Sequence, residues 1–277
     1  MPSFDFSLTD RLPSYPAGAG RLLLGAPPSH GQPLLLFVHG AYHGAWCYAN
    51  YLSYFARQDI ACAALDLPGH GGLPQDATFL HAGIRDLAVS VQRATDRMEG
   101  PVVLVGHSMG ALPVLVTATE MARAPAGIVL LAPSPPANLP GAAALPTVPE
   151  DVLRAPPGDE EIRERFAGCA ADVDVSAIRR RLCAESPQVL NDRYALRVAV
   201  NPFAMRSQGL CLEAGRDDPA RHPAGQDRAI ADFFGFEHQA LADQPHAMMY
   251  GEQWEGSAAV LLDWYQRTYD RRRRGTR

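Results

Sequence analysis

Val102-Val103-Leu104-Val105-Gly106-His107-Ser108-Met109-Gly110-Ala111 is the stretch on which the reading of this chain turns. A β-branched, apolar run of strand length ends in Gly-His-Ser-Met-Gly, and a small-residue apolar segment of helical composition follows. This is G-x-S-x-G in the strand–turn–helix setting that gives the motif its meaning. At the tip of a sharp turn the serine Oγ stands clear of the sheet. Gly106 and Gly110 flank it because a side chain at either place would meet neighbouring backbone. A helix starting just after Ser108 aims backbone N–H groups and a positive dipole end at any oxyanion formed there. A glycine-rich turn with a capping serine is the plainer alternative; the buried strand in front favours a nucleophile.

Outward from this point the chain alternates. A continuous apolar run over 34–38 reads as a strand covered on both faces, 60–65 as another buried strand, and 127–131 and 209–213 as further strands, with others over 21–25 and 232–241. Helices are expected over 46–57, over 79–98 with Leu80, Ile84, Leu87, Val91 and Ala94 on one face, after the elbow, and over 254–269. Strand–helix alternation implies a mostly parallel sheet flanked by helices. The rhythm breaks at Pro133. The expected organisation is an α/β core over 1–132 and 206–277, interrupted by a helical cap over 133–205, with helices over 159–166, 175–183 and 189–199.

The chain has 277 residues, 47% of them hydrophobic, and a net charge of −5, which argues against nucleic acid as a partner. All 25 basic residues are arginine, so no mechanism needing a catalytic ammonium or a Schiff base applies. The arginine run at 271–274 reads as a solvated tail. Five scattered cysteines form no C-x-x-C pair, and no H-E-x-x-H spacing occurs, so neither a metal nor any other cofactor is expected. With neither a signal-peptide pattern nor an apolar run long enough to span a bilayer, the expected location is cytoplasmic and the expected partner a small-molecule substrate. Oligomeric state is left open.

Five segments carry a resemblance. Val-His-Gly at 38–40, Asp-Leu-Pro-Gly-His-Gly at 66–71, Gly-His-Ser-Met-Gly at 106–110, Gly-Arg-Asp-Asp-Pro at 215–219 and Gln-Pro-His at 244–246 together resemble the α/β-hydrolase superfamily over nearly the whole chain outside 133–205. The segment His39-Gly40-Ala41-Tyr42-His43-Gly44-Ala45-Trp46-Cys47 resembles in particular that of plant methylesterases and their hydroxynitrile lyase relatives. The resemblance implies an α/β-hydrolase fold and an acyl-serine mechanism without a cofactor. Ser108 would be the nucleophile, His246 the general base and acid, and Asp218 the orienting acid, in the order Ser, Asp, His along the chain. The adjacent Asp217 is the competing acid, and Glu213 a weaker one. Backbone N–H groups of Ala41 and Met109 would form the oxyanion hole. The lyase relatives use a pocket lysine, which this chain lacks.

Ester or thioester hydrolysis on a small-to-medium hydrophobic substrate is the expected activity. Lactonase, perhydrolase, C–C bond hydrolase and acyltransferase chemistry are alternatives on the same triad, and a non-catalytic small-ligand receptor is the alternative of another class. Tyr42, His43 and Trp46 are candidates for the substrate pocket or for packing. His107, His39 and His70 are expected to serve the scaffold. His222 and His238 are expected to do no chemistry.

Overall fold

The apolar runs become the middle of one eight-stranded sheet, and their side chains alternate between its two faces. The computed structural model describes residues 4–28 and 31–269; the arginine run at 271–274 lies outside these residues. The strands are β1 (Ser14–Ala17), β2 (Gly20–Ala26), β3 (Leu34–Val38), β4 (Cys62–Asp66), β5 (Val102–His107), β6 (Gly127–Leu131), β7 (Gly209–Ala214) and β8 (Glu237–Leu241), in the spatial order β1-β2-β4-β3-β5-β6-β7-β8. Strands β3 to β8 pair in parallel, while β1 and β2 add an antiparallel edge.

The helices are α1 (Ala49–Ala56), α2 (Ala77–Leu80), α3 (Ile84–Asp96), α4 (Ala111–Glu120), α5 (Asp159–Glu161), α6 (Ser176–Arg179), α7 (Pro187–Tyr194), α8 (Gln226–Phe234) and α9 (Trp254–Tyr269). Period-two alternation in β3 sends Leu35 and Phe37 towards α1 and α9, and Leu34, Leu36 and Val38 towards α3, α4 and α8. Every residue of β3, β4, β5 and β6 is buried, which explains why these strands read as unbroken apolar runs. This is the α/β-hydrolase fold that the motifs implied.

Two expected elements are corrected. The helix expected over 79–98 is broken after α2, because Gly83 takes an extended backbone and α3 starts anew at Ile84. Asp86 and Asp192 carboxylates accept the Gly83 and Ile84 N–H groups, both at 2.8 Å. The strand expected over 232–241 begins only at Glu237. Ile230, Ala231 and Phe234 lie on the buried face of α8, and Gly235, at φ +70°, ends that helix.

The excursion between β6 and β7 carries α5, which runs on into a π-helical turn over Ile162–Ala167 and so spans the helix expected over 159–166, then α6 and α7, both shorter than expected. Backbone and side-chain bonds tie it to loops of the core. Cys183 N–H donates to the Tyr42 carbonyl at 3.0 Å, and Ser186 Oγ–H to the Ala82 carbonyl at 2.7 Å.

Candidate active site

Strand β5 delivers Ser108 into the left-handed region, at φ +52°. Few residues other than glycine are found there, and the strain is tolerated because the surroundings leave the turn no alternative. A Cβ at Gly106 would lie 2.8 Å from Ala111 Cα, and one at Gly110 would strike the His39 carbonyl. The elbow therefore needs both glycines for close approach rather than for positive φ.

His246 lies in the loop after β8 and is buried. Its Nε2 is 2.9 Å from Ser108 Oγ, and its Nδ1 is 2.6 Å from Asp217 Oδ2. The carboxylate can only accept, so Nδ1 carries the proton and Nε2 is left to accept the Ser108 O–H. Burial acts to raise the Asp217 carboxyl, but the His246 charge and hydrogen bond, with His222 nearby, outweigh it and hold the group below the usual carboxylate range.

The expectation that Asp218 would face His246 is corrected: Asp217 stands there. Asp217 Oδ1 accepts the Asp218 N–H at 2.7 Å, while Asp218 Oδ1 turns away to accept the Ala220 N–H at 2.9 Å. Asp218 Oδ2 lies 3.6 Å from Arg221 Nε. Consecutive side chains diverge in this turn, and its own hydrogen bonds choose the residue that points inward. Glu213, the weaker candidate, accepts from His238 Nε2 at 2.8 Å and faces neither Ser108 nor His246.

Ala41 and Met109 line the cavity together with Ser108. Met109 opens the helical turn behind the serine, where backbone N–H groups have no partner within the helix. Next to Ala41, Tyr42 is also left-handed, at φ +67°. Its N–H donates to Glu185 Oε2 at 3.1 Å, and the same oxygen accepts from His70 Nε2 at 3.0 Å. Glu185 and His70 are fully buried, and this hydrogen-bonded pair ties the excursion to the Ala41–Tyr42 turn. No local spacing marks Glu185, whose partners lie 115 and 143 residues away.

His43 lines the cavity with its ring fixed at both ends: Nδ1–H donates to the Ala41 carbonyl at 2.7 Å and Nε2 accepts from Tyr250 Oη at 3.0 Å. Burial pushes it down to about 4, so it is neutral at ordinary pH. Tyr42 also lines the cavity, but Trp46 does not. Trp46 is 4% exposed and packs against Phe6, His43 and Tyr250, which corrects its expected place in the substrate pocket.

His39 bonds loop backbone through both nitrogens, to the Gly40 carbonyl and from the Leu67 N–H. His107 Nε2 donates to the His246 carbonyl at 2.9 Å, which fixes the loop that carries His246. His222, from which no chemistry was expected, is brought to the site: its ring centroid is 4.8 Å from that of His246, and its Nδ1 is 3.8 Å from Asp217 Oδ2. Asp217, His222 and His246 offer ligand atoms within 4.8 Å of one another. The Asp217 and His246 atoms are already bonded to each other, which suits proton handling better than metal coordination.

The rest of the cavity wall comes largely from the excursion: Leu145, Phe166, Val189 and Leu190 are apolar, Tyr194 is mixed, and Arg165 and Arg193 are charged. Arg221, after β7, adds a third guanidinium. The wall expected to suit a hydrophobic substrate is thus only half apolar. Among the described residues, no helix is long and apolar enough to cross a membrane.

Comparisons with known proteins agree with this fold. A curated lipase, LipV of Mycobacterium tuberculosis, is 32% identical over 147 residues, covering 51% of this chain and 54% of that protein, so the match spans about half the length of the relative. The crystal structure of a methylesterase from Arabidopsis superposes with a TM-score of 0.65 at 18% identity, over 83% of this chain and 98% of that one. A pyrethroid hydrolase from Sphingobium faniae gives 0.64 at 20% identity, over 84% and 97%. A putative lipase from Acinetobacter baumannii gives 0.68 at 14% identity, over 97% and 98%. The model of the alpha/beta hydrolase family matches residues 35–273. With that match running from the start of the buried sheet to beyond the last described helix, the chain belongs to the alpha/beta hydrolase family.

Proposed function

We propose that the protein is a serine hydrolase that cleaves a carboxylic ester or thioester through an acyl-serine intermediate. The observation that carries this reading is the continuous chain Asp217 Oδ2–His246 Nδ1 and His246 Nε2–Ser108 Oγ, at 2.6 and 2.9 Å. Ser108 Oγ attacks the carbonyl carbon while His246 Nε2 takes its proton, and Asp217 stabilises the imidazolium that results. The tetrahedral oxyanion is met by the N–H groups of Ala41 and Met109; one such donor is typically worth about 10²–10³ in rate. Collapse breaks the bond to the alcohol or thiol, which leaves with the proton from His246. Water, activated by the same imidazole, then releases the acid and restores Ser108. Residues 133–205 act as a cap that closes the pocket over the serine. The names of the curated relative and of two structural neighbours, a lipase, a methylesterase and a pyrethroid hydrolase, are consistent with ester chemistry.

The test is labelling with a fluorophosphonate together with turnover of a para-nitrophenyl ester. Both should occur on the wild-type protein and be absent from Ser108→Ala. An adduct mapped to another serine overturns the assignment of the nucleophile. Absence of both labelling and turnover leaves the pocket as that of a ligand-binding protein.

A further inference from the structure

Arg165, Arg193 and Arg221 line the cavity that holds Ser108, and among the described residues the only carboxylate lining it is Asp217, committed to His246. An adjoining cleft shares Arg165 and Arg221 and adds Arg154. Arg193 carries the argument. It is 6% exposed, and its guanidinium donates only to carbonyls, those of Ala143 at 3.2 Å and Arg221 at 3.4 Å. No carboxylate lies within ion-pair distance of it, or of Arg154, among the described residues. A buried charge without a counter-ion is costly, and its place in the last turn of α7 offsets only part of that cost. Arg165 and Arg221 repel each other and are only partly neutralised, by Glu161 and by Asp218 at 3.6 Å. The cavity is therefore electropositive around Arg193, and a guanidinium fork matches a carboxylate in shape as well as charge.

We propose that the substrate carries a carboxylate, on its acyl or its alcohol part, which binds these arginines while the ester carbonyl lies at Ser108. This rests on the serine hydrolase reading above. Leu145, Phe166, Val189 and Leu190 line the same cavity, so the segment between the two polar ends is apolar.

The experiment compares kcat/KM within matched pairs: para-nitrophenyl pentanoate against mono-para-nitrophenyl glutarate for the acyl side, and phenyl acetate against para-acetoxybenzoate for the alcohol side. In one pair or both, the anionic member should be preferred by about 10- to 100-fold, the worth of a charge-assisted hydrogen bond. That preference should fall to about parity in Arg193→Gln or Arg221→Gln, and shrink with added salt. The half-buried Arg221, in the loop after β7, keeps the test sharp if Arg193→Gln does not fold. Neutral members preferred in both pairs, or a preference untouched by the arginine substitutions, overturns the proposal. Calorimetric binding of glutarate and para-hydroxybenzoate to Ser108→Ala separates the two readings, since it needs no catalysis. Arginine-dependent binding without any turnover on the wild-type protein would sink the hydrolase reading and keep the anion site; turnover with no such binding would do the reverse.

Discussion

Asp217 Oδ2 lies 2.6 Å from His246 Nδ1, and both side chains are only 7% exposed. An amide at this position would present a donor to a nitrogen that must itself donate, which favours the wrong imidazole tautomer. In a serine protease that error costs about 10⁴ in turnover. Asp217→Asn should approach that loss, while Asp218→Asn, whose carboxylate faces Ala220 and Arg221, should lose less than about tenfold. Steady-state kinetics on one ester decide it, and the reverse order of the two variants would refute the assignment.

The left-handed backbone of Ser108 predicts a stability effect separable from chemistry. Ser108→Gly removes a strained Cβ and Ser108→Ala keeps it. Both variants should be inactive, but the glycine protein should be the more stable by roughly 1 kcal/mol. Chemical denaturation measures this; an alanine variant as stable as the glycine variant would mean that the elbow is not strained.

Burial pushes His70 down, but the charge and hydrogen bond of Glu185 more than reverse this and leave it above its ordinary value. The folded state therefore binds that proton more tightly than the unfolded chain does. The stabilisation is fully present below about pH 6.5, the unfolded value, and is lost as pH rises through the folded value. Melting temperature followed across that range should fall less steeply in His70→Gln than in the wild-type protein. Parallel profiles would show that the pair does not titrate in this way.

Trp46 packs in the core, and its buried Nε1 has no hydrogen-bond partner among the described residues. Trp46→Phe therefore loses packing but no hydrogen bond, and should cost about 1–3 kcal/mol of stability. Its KM for short esters should stay within about threefold of the wild-type value. A large rise in KM with unchanged stability would return Trp46 to the substrate pocket.

The sequence by itself determined the order of the core elements and the positions of the elbow and of the histidine loop. These are local matters: a doubly covered strand must be apolar throughout, and a turn that forces a serine above the sheet needs glycines on both sides. Helix breaks were less legible, because α3 begins where Asp192, on another element, accepts the Ile84 N–H.

Only the tertiary structure decided between Asp217 and Asp218. Neighbouring residues of one type differ in nothing but direction, and direction follows from hydrogen bonds within the turn. The same holds for Trp46, whose side was set by Phe6 and Tyr250, and for His222, carried to His246 by the packing of its loop. Glu185 and Arg193 came to the site from the excursion, where composition announces charged helix faces and only the fold says which charges are turned inward. The physical reason is one throughout. Periodicity reports which face of an element is covered, whereas the partner of a buried charge is chosen by the packing of elements more than 100 residues apart, as for Tyr42 and Glu185.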